Sequence, residues 1–270
     1  MPVPSAWRGA PDHAQRLESA ASASGPFSMP WDAPLVPPFP FGFRDMSILT
    51  AVWRTDPQAV ARLLPEPLEP TADVVLAHIY LMRDTDFVGQ AHECNVMLGA
   101  RFAHSGEVVE GGYSVGLYLD SDVGVAHGRE VHGQPKKMAS LKLETRGDLI
   151  VGEVERNGIM ILTATLPYKQ RAVDPAEMRR HFDFTENINY KLIPHVDGTP
   201  AIRQLTARRL EDVRVHECWT GPCTVELRPN AQAPVWRLPV LEPLNGFFWR
   251  ADFTLVAGRV LHDYLAEAPA

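Results

Sequence analysis

The run Leu149–Leu166, LIVGEVERNGIMILTATL, decides the fold class of this chain. Asn157-Gly158 divides it into two apolar, β-branched segments, Leu149–Arg156 and Ile159–Leu166. A type I′ turn needs positive φ at both central residues, and Asn-Gly is the pair that accepts this most readily. Val151, Val154, Ile159, Ile161 and Leu162 supply the apolar content. The pattern predicts an antiparallel hairpin, and Leu141–Thr145, set off by Arg146-Gly147-Asp148, predicts a further strand before it.

The same grammar continues on both sides. Ser47–Trp53, Val74–Met82, Val96–Phe102 and Tyr113–Leu119 are strand-like runs bounded by Gly, Pro, Asp or Ser. Further strands are expected at Ala201–Leu210, Val213–Glu217, Thr224–Leu227 and Asp252–Tyr264. Helical signals are few. Asp56–Leu64 and Asp174–Phe182 each open on Asp-Pro, which suits an N-cap followed by N1, and a short helix is expected through Val125–His132. About a dozen short strands with two or three helices predict an α+β, β-dominated domain whose sheet curls or closes. Residues 1–29, rich in Ala, Ser, Pro and Gly, read as a flexible or subunit-contacting arm. The five prolines of PWDAPLVPPFP (30–40) predict an extended strap. A single domain is expected over 30–270.

Net charge is −7 over 270 residues, so the basic footprint of a nucleic-acid binder is missing. No apolar run approaches the roughly 18 residues of a membrane span, and no secretory signal pattern opens the chain. Three cysteines without a CxxC argue against a disulfide framework. A cytoplasmic globular protein is expected, with neither nucleic acid nor membrane as partner.

Gly112-Tyr113-Ser114-Val115-Gly116 matches the GxSxG nucleophile elbow, but that elbow needs a strand, a turn and then a helix. The residues that follow, VGLYLD, read as more strand, so the match is rejected. Histidine groups such as His92-Glu93, His127 with His132, and His216-Glu217-Cys218 fit no metal spacing, and no nucleotide-binding motif occurs. Neither metal nor cofactor is expected.

The cations point elsewhere. Of 26 basic residues only five are Lys, yet Lys136 and Lys137 are adjacent. Arg stays protonated and cannot act as a neutral nucleophile, whereas Lys can. The pair follows a turn-forming segment, GREVHGQPKK (128–137). Two neighbouring ammonium groups disfavour each other's charge, and a neutral lysine amine can attack a carbonyl to form an iminium.

GREVHGQPKK resembles the signature of the acetoacetate decarboxylase family. The resemblance extends in order through Trp53-Arg54-Thr55-Asp56, Pro65-Glu66-Pro67-Leu68-Glu69, Asn189-Tyr190, Ile193-Pro194 and Asp197-Gly198. It continues through Val215-His216-Glu217, Trp219-Thr220-Gly221-Pro222 and Asp263-Tyr264-Leu265, and so covers roughly 43–265. It implies a cone-shaped antiparallel β-barrel with a few peripheral helices, assembled as a homo-oligomer. It implies Lys136 as Schiff-base lysine, Lys137 as the neighbour that tunes its pKa, and Glu93 near the substrate for proton transfer or positioning. Arg44, Met46, His78, His132, Gln134 and Tyr264 are the substrate-pocket candidates.

Two positions depart from the family pattern: Met46 stands where an arginine is expected to hold the substrate carboxylate, and His78 where a glutamate is expected. Arg44, two residues from Met46, would share its strand face if alternation holds. These departures favour an aldolase-dehydratase acting on an α-keto acid such as pyruvate, with an aldehyde co-substrate. The alternative is decarboxylation of a β-keto acid, and a third reading is a non-catalytic anion-binding protein.

Overall fold

The structure is a computed structural model and describes residues 27–104, 106–182 and 185–266. The expected arm at 1–29 lies outside them except for its last three residues. The chain divides into two units, Met1–Phe39 and Pro40–Ala270. In the first, the described residues form bends and turns, closed by a Ser28 Oγ bridge to both backbone groups of Val36.

The second unit is β-dominated. Its strands of three or more residues are β1 (Phe41–Arg54), β2 (Leu68–Met82), β3 (Ala91–His104), β4 (Glu107–Leu119) and β5 (Lys136–Met138). They continue as β6 (Ser140–Arg146), β7 (Leu149–Arg156), β8 (Ile159–Pro167) and β9 (Glu186–Pro194). The last four are β10 (Pro200–Pro222), β11 (Thr224–Leu227), β12 (Asn245–Leu255) and β13 (Arg259–Asp263). Helices α1 (Pro57–Leu63) and α3 (Pro175–Arg179) begin at the two Asp-Pro pairs, where Asp56 and Asp174 accept from the backbone N–H of Gln58 and Ala176. Between them, α2 (Asp122–His127) runs into a π-helical turn, Gly128–His132. No helix among the described residues is long and apolar enough to cross a membrane.

The hairpin that fixed the fold class forms as read. Asn157 and Gly158 have φ of 54° and 77°, and β7 pairs with β8 from Leu149↔Pro167 to Arg156↔Ile159. With β6 and β11 these strands make a four-stranded sheet. In the larger sheet the pairings run in a closed circuit, β1–β2–β3–β4–β9–β10–β12 and back to β1. The circuit is antiparallel except where β4 meets β9, and β5 also joins β4 in parallel. Two sequence expectations are corrected here. Ala201–Leu210 and Val213–Glu217 are one strand, β10, bent at Asp212 (φ 52°) rather than broken there. The strand β9 has no counterpart in the sequence reading, because its buried Asn187 and Asn189 do not look like core residues.

The two faces of the circuit differ in kind. One face carries Leu49, Ala51, Ala77, Ile79, Val96 and Leu98, all buried in the main apolar cluster with Leu141, Ile150, Val154 and Ile161 of the smaller sheet. At Gly152 a Cβ would lie 2.4 Å from Ile79 Cδ1, so the two sheets meet at close range. Fully burying one such aliphatic side chain contributes roughly 1.5–3 kcal/mol. The other face carries polar groups, and the lysine segment lies there.

Candidate active site

Strand pairing sets which side chains share that second face, because residues opposite one another across a ladder point the same way. Glu93 on β3 is opposite Tyr80 on β2 and Leu119 on β4. Asn95 is opposite His78 and Leu117, and Lys136 on β5 is paired with Leu117. Lys136 and Glu93 therefore project to the same side. Their side chains meet: Lys136 Nζ donates to Glu93 Oε2 at 2.9 Å, with side-chain exposures of 9% and 15%.

The segment before Lys136 is shaped to admit its stem. The π-helical turn brings Gly128 against the lysine, where a Cβ would lie 2.3 Å from Lys136 Cδ and 2.5 Å from Cε. Gly133 ends the turn with φ 76°, and a Cβ there would meet the Lys191 backbone at 2.5 Å. Gln134 is buried and donates from Nε2 to Asn187 Oδ1 at 3.2 Å, while Arg129 Nη1 donates to the Lys136 carbonyl at 3.3 Å. Asn187 Nδ2 donates onward to Ser114 Oγ and Gly112 O, which explains the buried serine of the rejected GYSVG match.

His132 and His127 pack edge to face at 5.1 Å beside this segment. Burial pushes both imidazoles down, to about 2 for His132 and about 3 for His127, and nearby Lys136 and Arg208 push the same way. Both rings are neutral at pH 7. Burial also raises the Tyr80 hydroxyl, with the Glu93 carboxylate adding to the shift.

Several expectations change once geometry is known. Lys137 does not share a face with Lys136; adjacent strand residues point oppositely, and its Nζ donates to Gln232 O at 2.5 Å. Its pKa is lowered by burial, then by Arg156 and Arg129. Arg44 does not share a face with Met46. Pairing of β1 with β12 shifts between Phe43 and Met46, at Asp45 (φ 51°), and the extra residue turns Arg44 to the opposite side. There it binds Asp84 and Asp86, each at 2.6 Å. Met46 is buried on the lysine's face. His78 is buried, with Nδ1 against Thr50 Oγ1 at 2.8 Å, and burial lowers it to about 3. Tyr264 packs elsewhere, against His262, Tyr190 and Arg203.

Sequence reasoning missed Arg208. It lies on β10 opposite Asn187, on the face shared with the Gln134–Asn187 contact. Its Nε and Nη1 are enclosed without a hydrogen-bond partner. Its charge acts on Tyr80, His127 and His132. The only available signal was strand alternation in Thr206–Arg208–Leu210, and the Arg208-Arg209 pair reads instead as a solvated charge.

Comparison with known proteins places this geometry in context. The family model "Acetoacetate decarboxylase (ADC)" matches residues 24–265. A protein of Bradyrhizobium diazoefficiens named acetoacetate decarboxylase 1 is 39% identical over 241 residues, covering 89% of this chain and 94% of that one. A crystal structure of acetoacetate decarboxylase from Legionella pneumophila superposes with a TM-score of 0.82 at 33% identity, covering 88% of this chain and 94% of that one. The enduracididine biosynthesis enzyme MppR, complexed with the condensation product of pyruvate and imidazole 4-carboxaldehyde, superposes at 0.73 with 22% identity, covering 90% of this chain and 99% of that one. That last likeness is one of fold alone.

Proposed function

Because the chain belongs to the acetoacetate decarboxylase family, we propose that it decarboxylates a small β-keto acid through an iminium formed at Lys136. The observation that carries this is the enclosed Lys136–Glu93 contact at 2.9 Å, in a chain whose relatives at 36–39% identity are named acetoacetate decarboxylases. The same relatives overturn the aldolase-dehydratase reading. That reading leaned on Met46 and His78, both buried on the lysine's face.

The chemistry follows from the arrangement. Glu93 Oε2 is placed to take the proton that Lys136 must lose before its amine attacks the ketone carbon. The carbinolamine formed loses water to give a protonated imine. The bond between the α-carbon and the carboxylate then breaks; CO₂ leaves and the electron pair flows to the iminium nitrogen, giving an enamine. Protonation at carbon and addition of water release the ketone and restore the amine. Neutral His127 and His132 flank the lysine without adding charge. Lys137, leaving the opposite face, is given no part.

The closed circuit of strand pairings supports the cone-shaped barrel that the resemblance implies, with Lys136 on its polar face. A homo-oligomer is the expected assembly, and light scattering on the purified chain measures it. The function is tested by supplying acetoacetate and measuring products. Equal amounts of CO₂ and acetone, formed faster than in buffer, are expected; no release above buffer overturns the reading.

A further inference from the structure

We propose that Arg208 is the cation that binds the substrate carboxylate in this chain, reaching the site from β10 in place of an arginine at Met46 on β1. This rests on the iminium reading of Lys136 and adds to it the group that recognises the acid.

Leu210, two residues beyond Arg208 on β10, is opposite Leu255 of β12, and Leu255 is opposite Phe41 of β1. Phe41 and Phe43 lie on the face that carries Met46 once the bulge at Asp45 is counted. Arg208 therefore points to the same interior as Met46, from the far side of β12. Glu93, Tyr80, His127 and His132 come from β3, β2, α2 and the π-helical turn, and the Arg208 charge is felt by all four. Strand register and these charge effects agree in setting Arg208 on the face of Glu93 and Tyr80.

Charge balance points the same way. Lys136 is matched by Glu93 at 2.9 Å. Glu186, whose charge also reaches Arg208, is itself held by Arg259 at 3.0 Å and Arg209 at 3.4 Å. His127, His132 and Tyr80 are neutral. Among the described residues, Arg208 has neither an ion pair nor a hydrogen bond at Nε or Nη1. The partial exposure of the residue belongs to its other atoms. A buried charge without a partner is costly, and a carboxylate with two acceptor oxygens relieves that cost by bonding two guanidinium N–H groups.

Arg208 thus carries a positive charge without an ion pair, which suits a carboxylate ligand. A β-keto acid has its carboxylate one carbon away from the ketone that Lys136 attacks, so one ligand can engage both residues. Loss of CO₂ removes the negative charge, so Arg208 stabilises the bound acid more than the transition state. It acts mainly on KM.

The test compares two five-carbon ketones, 4-oxopentanoate and 2-pentanone, which differ in the carboxylate and do not lose CO₂ by this route. Each is reduced onto the enzyme with borohydride, and the Lys136 peptide is weighed. Wild-type enzyme is expected to capture the oxo acid at lower concentration than the neutral ketone. Arg208→Met is expected to lose that preference by about 10- to 100-fold while still capturing 2-pentanone, with KM for acetoacetate rising by a similar factor. Arg208→Lys keeps the charge without the fork and should retain part of the preference, which also serves if the Met variant folds poorly. An unchanged preference in Arg208→Met, or equal loss of both captures, overturns the proposal. If wild-type enzyme captures neither ketone, the Lys136 reading has failed first and the carboxylate assignment falls with it.

Discussion

Arg44 and Arg208 carry the same side chain into opposite circumstances. Arg44 stands at the start of β1 with its side chain 46% exposed, and Asp84 and Asp86 raise its pKa by bonding it directly. Arg208 stands in the middle of β10, two of its nitrogens enclosed and unbonded, and burial lowers its pKa. The first cation is already matched by two carboxylates. The second has no ion pair among the described residues, and the nearby Lys136 is already engaged by Glu93. Sequence proximity to a family position favoured Arg44; charge balance favours Arg208.

The comparison can be broken in three ways. Replacing Arg208 has the largest expected effect, the 10- to 100-fold change in oxo-acid preference described above. Next comes the response to acid. His78, His127 and His132 hold folded pKa values of about 3, 3 and 2, against an ordinary 6.5. Above pH 6.5 they are neutral in both folded and unfolded chains and contribute nothing to the difference. Below it the unfolded chain takes up protons that the folded chain refuses, so stability falls with pH from about 6.5 towards 3. Each histidine contributes up to about 1.4 kcal/mol per pH unit in that window. Denaturant melts at pH 7 and pH 5 measure this; equal midpoints would show that these rings are not held neutral by burial. The smallest effect belongs to Arg44→Ala. Exposed ion pairs contribute about 0–1 kcal/mol, so the melting temperature should move by only a few degrees and KM by less than about twofold. A tenfold rise in KM would return the carboxylate to β1.

How much was legible follows from the same physics. The β7–β8 hairpin and the caps of α1 and α3 depend on local chemistry, Asn-Gly and Asp-Pro, and they form where the sequence places them. The resemblance names Lys136 and Glu93 together, and the structure brings their side chains into contact. The face of Arg44 was not legible, since one extra residue at Asp45 inverts an alternation argument without leaving a compositional trace. The direction of Lys137 was not legible from its adjacency to Lys136, since neighbours in sequence point to opposite faces of a strand. Arg208 and β9 were missed because polar residues in an interior look like surface residues until pairing shows which way they point. Asn187 and Arg208, neither singled out in the sequence, are opposite each other in register.

The central claim is that the Lys136 amine forms a covalent iminium with the substrate ketone. Borohydride reduction in the presence of acetoacetate, followed by peptide mass analysis, tests it most directly. The account predicts inactivation, with an isopropyl mass added at Lys136 and at no other lysine, and no adduct in Lys136→Met. Full decarboxylase activity after reduction, or an adduct on another lysine that tracks the loss of activity, would contradict it.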